Sequence, residues 1–174
     1  MTPFPKITIS SVEELDDLDL TGFTHVISIW DPLASGQSTH ERRFRSKLAK
    51  SAQVHFAYFD DIVSPLPNRQ APSLEQVRKI LAFSAALPKR ASVLIHCWAG
   101  ISRSTAVAYA ILCQSAGPGT EKDCIVQLQK IRPKALPNLR IITLAELALG
   151  RNGTMFASCE DLSMRQFSVL DDEH

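Results

Sequence analysis

The most constraining feature of the sequence is a nine-residue stretch at residues 96–104, with the order His-Cys-Trp-Ala-Gly-Ile-Ser-Arg-Ser. The apolar run at 91–95 that precedes it predicts a buried strand, and the apolar run at 105–113 that follows it predicts a helix. A loop between a strand end and a helix start has unpaired backbone N–H groups, and the helix dipole adds roughly half a positive charge there. The sequence therefore predicts an anion-binding turn at this point of the chain.

Two side chains predict chemistry at this turn. Cys97 begins the loop, close to the helix N-terminus and to the guanidinium of Arg103, and both of these favour the nucleophilic thiolate form. Arg103 carries a planar fork of N–H donors that matches two oxygens of a phosphate group. The pattern predicts a thiolate at the bottom of a phosphate-binding loop; a buried structural cysteine beside a surface arginine is the alternative interpretation.

The motif Cys-(five residues)-Arg-Ser, with His before the Cys and Gly three residues after it, resembles the signature loop of the cysteine-based protein tyrosine phosphatases. The ending Gly-Ile-Ser-Arg-Ser and the short chain are most similar to the compact dual-specificity and bacterial-type branch. The resemblance implies that Cys97 attacks phosphorus, that Arg103 binds the phosphoryl oxygens and that the Ser104 hydroxyl helps the thiolate to leave. It also implies that His96 is a structural residue with a hydrogen bond near the thiolate.

The same resemblance implies how the rest of the loop binds substrate. The main-chain amides that form the phosphate cradle belong to Trp98, Ala99, Gly100, Ile101, Ser102 and Arg103. Asn138 occupies the place of an Asn that supports this loop in dual-specificity relatives, although a role as a helix N-cap explains it equally well.

A general acid is expected because the alkoxide or phenoxide expelled from a phosphoester is a poor leaving group, and such assistance is worth ~10²–10⁴-fold. In the resembled family this acid is an Asp on a loop after a strand, upstream of the Cys. Asp60 and Asp61 lie 37 and 36 residues before Cys97 and end a predicted strand. We favour Asp61, because the following loop begins there, and keep Asp60 as the alternative. Asp31, which ends an earlier strand, is interpreted as a turn residue.

Strands and helices alternate along the chain. Strands are predicted at residues 6–10, 24–30, 54–59 and 91–95, and helices at 11–18, 41–50, 73–87, 105–115, 120–131 and 138–149. This alternation predicts an α/β domain with a central, mainly parallel sheet, helices on both faces and a site at the carboxyl edge of a strand. The fold agrees with the one that the resemblance implies. We expect one catalytic domain over 1–150 and a polar, loosely attached tail over 151–174 with a single helical turn.

Composition restricts the classes of partner. A formal net charge of +1 gives no global field for binding nucleic acid or an anionic membrane. The four cysteines have no paired spacing and residues 1–18 have no continuous apolar core, so reduced thiols, no signal or transmembrane segment and a cytoplasmic location are expected. Neither metal nor organic cofactor is expected, because thiolate, guanidinium and amides supply the nucleophile and the charge stabilisation.

The sequence therefore favours a phosphomonoester hydrolase that acts on phosphotyrosine, and on phosphoserine or phosphothreonine, through a phosphocysteine intermediate. One alternative keeps this chemistry but takes an inositol phosphate or another small phosphoester as substrate. The other is a pseudophosphatase that binds phosphate without turnover, and the intact set of Cys97, Arg103 and Ser104 argues against it.

Overall fold

The computed structural model describes residues 5–32, 38–48, 50 and 52–171, with side chains described as far as residue 162. Its strands are β1 (Lys6–Ser10), β2 (His25–Trp30), β3 (Gln53–Tyr58) and β4 (Ser92–His96). Its helices are α1 (Thr39–Lys47), α2 (Leu74–Ala85), α3 (Arg103–Ala116), α4 (Glu121–Ile131), α5 (Leu139–Leu149) and α6 (Thr154–Asp171). Within these described ranges, no helix is long and apolar enough to cross a membrane.

The four strands form one parallel sheet in the order β1-β4-β2-β3. In the register of this sheet, Ile95 of β4 lies beside Ile9 of β1 and Ile27 of β2. Because all carboxyl ends meet at one edge, the loop after β4 lies between the ends of β1 and β2. The predicted parallel sheet is confirmed, and it places the Cys97 loop (residues 97–103) at its centre.

Side chains alternate between the two faces of the sheet, and each face has its own core. On one face, Ile29 and Ile95 belong to a cluster with Tyr109 of α3, over which α2, α4, α5 and α6 also pack. On the other face, Trp30 packs with Phe44 of α1 and with residues of two short 3-10 turns, Glu14–Asp16 and Leu20–Gly22. The expected helical layers on both faces are therefore confirmed.

Local capping explains several of the helix boundaries. Ser73 and Gln76 form the reciprocal hydrogen bonds of a capping box before α2, as their spacing predicts. Ser11 and Glu14 form the same reciprocal pair. Only the 3-10 turn Glu14–Asp16 follows that pair, however, so the helix predicted over 11–18 is wrong.

The C-terminal segment differs most from the sequence-based expectation. It forms α6, in which Met155, Cys159 and Leu162 are buried in the main core. These positions follow an i, i+4, i+7 pattern, which gives the helix one apolar stripe. The expected loose tail with a single turn is therefore wrong, although the expected domain boundary at 150 stays a prediction; residues 172–174 lie outside the described residues.

If α6 is part of the core, Met155→Ala should lower the free energy of unfolding by about 2–5 kcal/mol, as large-to-small core substitutions do. Leu147→Ala on the exposed face of α5 is the control and should change it by about 0.5 kcal/mol or less. Urea denaturation measures both. Equal effects of the two variants would contradict the packing of α6.

Candidate active site

Cys97 lies between the end of β4 and the start of α3, where its side chain is almost fully buried. Its Sγ atom is 3.2 Å from the Oγ atom of Ser104, which is also buried. A hydroxyl at this distance can donate a hydrogen bond to a thiolate. The structure therefore brings Cys97 and Ser104 together as the sequence analysis expects.

Four carbonyl groups of the Cys97 loop are hydrogen-bonded to the surrounding scaffold. Trp98 O accepts from Val12 N (3.0 Å) and Gly100 O from Arg132 Nε (3.0 Å). Ile101 O accepts from Leu136 N (2.9 Å) and Ser102 O from Asn138 N (3.3 Å). Within the described part of the chain, no group accepts a hydrogen bond from the amides of residues 98–102.

Peptide planarity decides where those amides lie. In a trans peptide, the N–H of the following residue points away from the carbonyl oxygen. Because the carbonyls of Trp98, Gly100, Ile101 and Ser102 point toward the scaffold, the N–H groups that follow them point toward the inside of the loop. Such a ring of amides at the N-terminus of α3 is suited to bind an anion.

Gly100 is required at its position for two reasons. Its φ of +66° lies in the left-handed region, which L residues with side chains rarely adopt. A Cβ atom there would also lie 2.7 Å from the carbonyl carbon of Ser10 and from the amide nitrogen of Ser11. The end of β1 thus packs directly against the Cys97 loop.

One guanidinium nitrogen of Arg103 donates hydrogen bonds to two acceptors. Nη1 donates to Asp31 Oδ1 at 2.7 Å and to the carbonyl oxygen of Phe59 at 2.9 Å. The Nε atom is buried and has no hydrogen-bond partner among the described residues. This arrangement fixes the guanidinium while leaving Nε available to a phosphoryl oxygen.

Asp61 lies over the loop, in contact with its far end. Its Oδ1 accepts hydrogen bonds from Ser102 Oγ at 2.7 Å and from Asn138 Nδ2 at 2.8 Å. Its Oδ2 is 4.0 Å from Arg103 Nε. Asp61 therefore lies beside the predicted phosphate site, as does Asp31.

Asp60, by contrast, is buried and bonded within its own loop. Its Oδ1 is paired with Arg69 Nε at 2.9 Å, and its Oδ2 accepts a hydrogen bond from the Gln70 amide at 2.6 Å. The Asp60 amide in turn donates to the carbonyl oxygen of Gln70. These contacts close the base of the loop that carries Asp61 and occupy both oxygens of the Asp60 carboxylate.

Asn138 combines the two roles that the sequence left open. Its Oδ1 accepts the Ile141 amide, which makes it the N-cap of α5. Its main-chain amide donates to Ser102 O, and its Nδ2 donates to Asp61. Asn138 thus connects α5, the Cys97 loop and the carboxylate.

His96 lies beneath the loop, fully buried. Its Nε2 is 2.7 Å from Ser28 Oγ, which accepts a hydrogen bond from Trp30 Nε1. The imidazole ring is neutral, because its charged form is disfavoured in this buried position. Burial, and to a lesser degree the charge of Arg103, lower the pKa of His96 to about 3. The hydrogen bond ties β4 to β2, and none joins His96 to Cys97 among the described residues.

A cavity of ≈ 320 Å³ forms the entrance to the loop, with Asp31, Asp61, Arg69, Trp98, Ala99 and Arg103 as its lining. Trp98 is half exposed and packs edge-to-face against His40, with 5.9 Å between ring centroids. Trp98 therefore flanks the entrance.

Asp31, interpreted from its sequence position as a turn residue, instead binds Arg103, and Arg132, which no sequence signal indicated, binds the Cys97 loop. Asp31 follows β2 directly, and the carboxyl ends of β2 and β4 meet only once their adjacency in the sheet is known. Arg132 Nη1 pairs with Glu14 at 2.9 Å while its Nε holds the loop carbonyl of Gly100. A contact over 118 residues has no local signal in a single sequence.

The fold and the site together define a cysteine-dependent phosphatase architecture. The family model described as "Tc-R-P: Polymorphic toxin system, DSP-PTPase phosphatase" matches residues 13–117, more than half of the chain. The chain therefore belongs to this family of DSP-PTPase phosphatases and is a protein-tyrosine-phosphatase-like hydrolase with phosphorylated substrates. No curated protein matches the chain.

Solved structures of similar fold include several phosphatases. The active form of Tk-PTP has 22% identity and a TM-score of 0.55 over 86% of this chain and 95% of its own. Human DUSP28 has 17% identity and a TM-score of 0.58 over 94% of this chain and 97% of its own. PTPMT1 in complex with PI(5)P has 16% identity and a TM-score of 0.55 over 95% and 97%. At these identities the likeness concerns the fold.

The close contact at Gly100 generates a testable difference between two glycines. Gly100→Ala should abolish phosphatase activity and lower the free energy of unfolding, because the added Cβ meets the backbone at the end of β1. Gly117→Ala has a similarly positive φ but open space around it, so it should cost only the backbone strain, about 1–3 kcal/mol. Turnover and urea denaturation measure both. Normal turnover by Gly100→Ala would contradict the described loop geometry.

The contact between Asp31 and Arg103 predicts that loss of Asp31 lowers catalytic efficiency, because Arg103 would be held less firmly. Asp31→Ala removes a charge-assisted hydrogen bond to a buried guanidinium, worth about 1.5–3 kcal/mol. We expect kcat/KM for a phosphoester to fall roughly tenfold to hundredfold. Glu75→Ala, which removes an exposed carboxylate paired with Lys79 on α2, is the control. An unchanged kcat/KM in Asp31→Ala would show that Arg103 needs no such support.

Proposed function

We propose that the protein hydrolyses phosphotyrosine, and phosphoserine or phosphothreonine, in proteins through a phosphocysteine intermediate on Cys97. The observation that carries this proposal is the direction of the loop peptides, whose carbonyls bond outward to the scaffold, so that the amides that follow them point toward the inside of the loop. Arg103 adds a buried Nε that has no hydrogen-bond partner among the described residues. A phosphoryl group fits both donor sets at once.

In the first step, the Cys97 thiolate attacks phosphorus, so that an S–P bond forms and the bond from phosphorus to the leaving oxygen breaks. Arg103 and the loop amides stabilise the negative charge on the phosphoryl oxygens. The protonated Asp61 gives its proton to the leaving oxygen. Since Oδ1 already accepts two hydrogen bonds, Oδ2 is the atom that holds this proton.

In the second step, water hydrolyses the phosphocysteine. The Asp61 carboxylate, now deprotonated, takes a proton from the water as its oxygen attacks phosphorus. The S–P bond breaks, and the Cys97 thiolate leaves with a hydrogen bond from the Ser104 hydroxyl, 3.2 Å away. Inorganic phosphate is released, and both residues return to their starting forms.

We expect wild-type protein to hydrolyse p-nitrophenyl phosphate and a phosphotyrosine peptide without added metal, and Cys97→Ser to hydrolyse neither. Asp61→Asn should lower kcat/KM for the peptide by roughly 10²–10⁴-fold. It should lower kcat/KM for p-nitrophenyl phosphate much less, because p-nitrophenolate leaves without a proton in the first step. Steady-state assays of the two substrates measure this split.

Asp60→Asn is the matched control, because it changes the neighbouring carboxyl that faces Arg69 and Gln70. Its effect should be similar for both substrates, since it disturbs the position of the loop rather than proton transfer. A leaving-group-dependent loss in Asp60→Asn and not in Asp61→Asn would reverse the assignment. Phosphopeptide binding by wild-type protein without any turnover would instead support a pseudophosphatase.

A further inference from the structure

Large apolar side chains are exposed around the entrance to the Cys97 loop. Four of the six exposed large hydrophobic residues in the described part of the chain lie there: Val63, Leu66, Trp98 and Leu136. The remaining two, Val126 and Leu147, are on helices α4 and α5. An apolar surface next to a polar site indicates a ligand that is partly apolar.

Three of these side chains line a groove of ≈ 580 Å³, which we call the rim groove. One wall is the segment that follows Asp61, with Val63 and Leu66, and the other wall is formed by residues 136–139. Asp61 lines both the rim groove and the entrance cavity, while Ser102 of the Cys97 loop also lines the groove. The groove is therefore continuous with the place where a phosphoryl group would bind.

The two walls are joined by hydrogen bonds rather than by loose packing. Asn138 Nδ2 donates to Asp61 Oδ1 and to the carbonyl oxygen of Ile62, at 2.8 and 3.4 Å. Asn138 itself is buried and is fixed at the start of α5. The groove thus has a defined width before substrate arrives, which reduces the entropy cost of binding there.

Charge restricts what the rim groove can accept. Asp61 is the only charged residue in its lining. An acidic or phosphorylated side chain would lose water there and meet a carboxylate, whereas an apolar side chain gains by burial. The surface on the other side of Trp98 is different, because its cavity of ≈ 640 Å³ contains Glu13, Glu14, Arg132 and Lys134.

We propose that the rim groove binds an apolar side chain close to the phosphorylated residue of a protein substrate, so that the enzyme prefers phosphotyrosine segments with an apolar neighbour. This inference rests on the proposed function and gives it a substrate class. A membrane surface that carries phosphoinositides fits less well, because such surfaces attract clusters of Lys and Arg, and the groove lining contains neither.

The test uses phosphotyrosine peptides that differ at one position, with Leu or Glu placed in turn at each of the three residues on either side. At one position or more, wild-type protein should have a kcat/KM for the Leu peptide roughly tenfold or more above that for the Glu peptide. In the double variant Val63→Ser/Leu66→Ser, kcat/KM for the Leu peptide and for the Glu peptide should agree within about twofold, because the apolar groups that favour Leu have been removed. Leu66→Lys should shift the preference toward Glu.

The matched control is Val126→Ser/Leu147→Ser, which removes a Val and a Leu of comparable exposure that line neither the rim groove nor the entrance cavity, and it should keep the wild-type ratio. No discrimination by wild-type protein at any position, or full discrimination by Val63→Ser/Leu66→Ser, would overturn the proposal. Faster hydrolysis of a phosphoinositide monophosphate in vesicles than of the best peptide would overturn the peptide assignment. Absence of p-nitrophenyl phosphate turnover by wild-type protein would instead refute the underlying function.

Discussion

The hydrogen bonds that hold the loop carbonyls outward are the interaction on which the site depends. They come from three parts of the fold: Val12 follows β1, Arg132 is the C-cap of α4, and Leu136 and Asn138 precede α5. Since peptide planarity couples each carbonyl to the following amide, the scaffold determines where the anion-binding N–H groups point. The cradle is therefore formed by the whole domain, and its geometry exists before substrate binds.

The adjacent carboxyl groups of Asp60 and Asp61 differ in function because they contact different partners. Asp60 turns inward to Arg69 and closes its loop, so it supports position, while Asp61 reaches Ser102 and Asn138 at the site. Asp31, at the end of the neighbouring strand, supports Arg103 in a third way. Three acids thus lie close together without sharing one role.

Local signals in the sequence predicted the parts of the structure that local physics controls. The strand, loop and helix around Cys97, the capping box at Ser73 and the N-cap at Asn138 follow from a few neighbouring residues. The contacts of Asp31 and Arg132 depend on strand order and on helix packing, which one sequence does not display. Helix α6 was missed for a similar reason, because its narrow apolar stripe is interrupted by polar residues and becomes visible only against the core that it covers.

The central claim, that catalysis proceeds through a covalent intermediate on Cys97, is tested most directly by trapping that intermediate. Wild-type protein is mixed with a phosphotyrosine substrate, quenched in acid within one turnover and digested, and the peptides are analysed by mass spectrometry. The account predicts one added phosphoryl group on the sulfur of Cys97, absent in Cys97→Ser. A phosphoryl group on another residue, or rapid turnover with no phosphorylated peptide at any time, would contradict it.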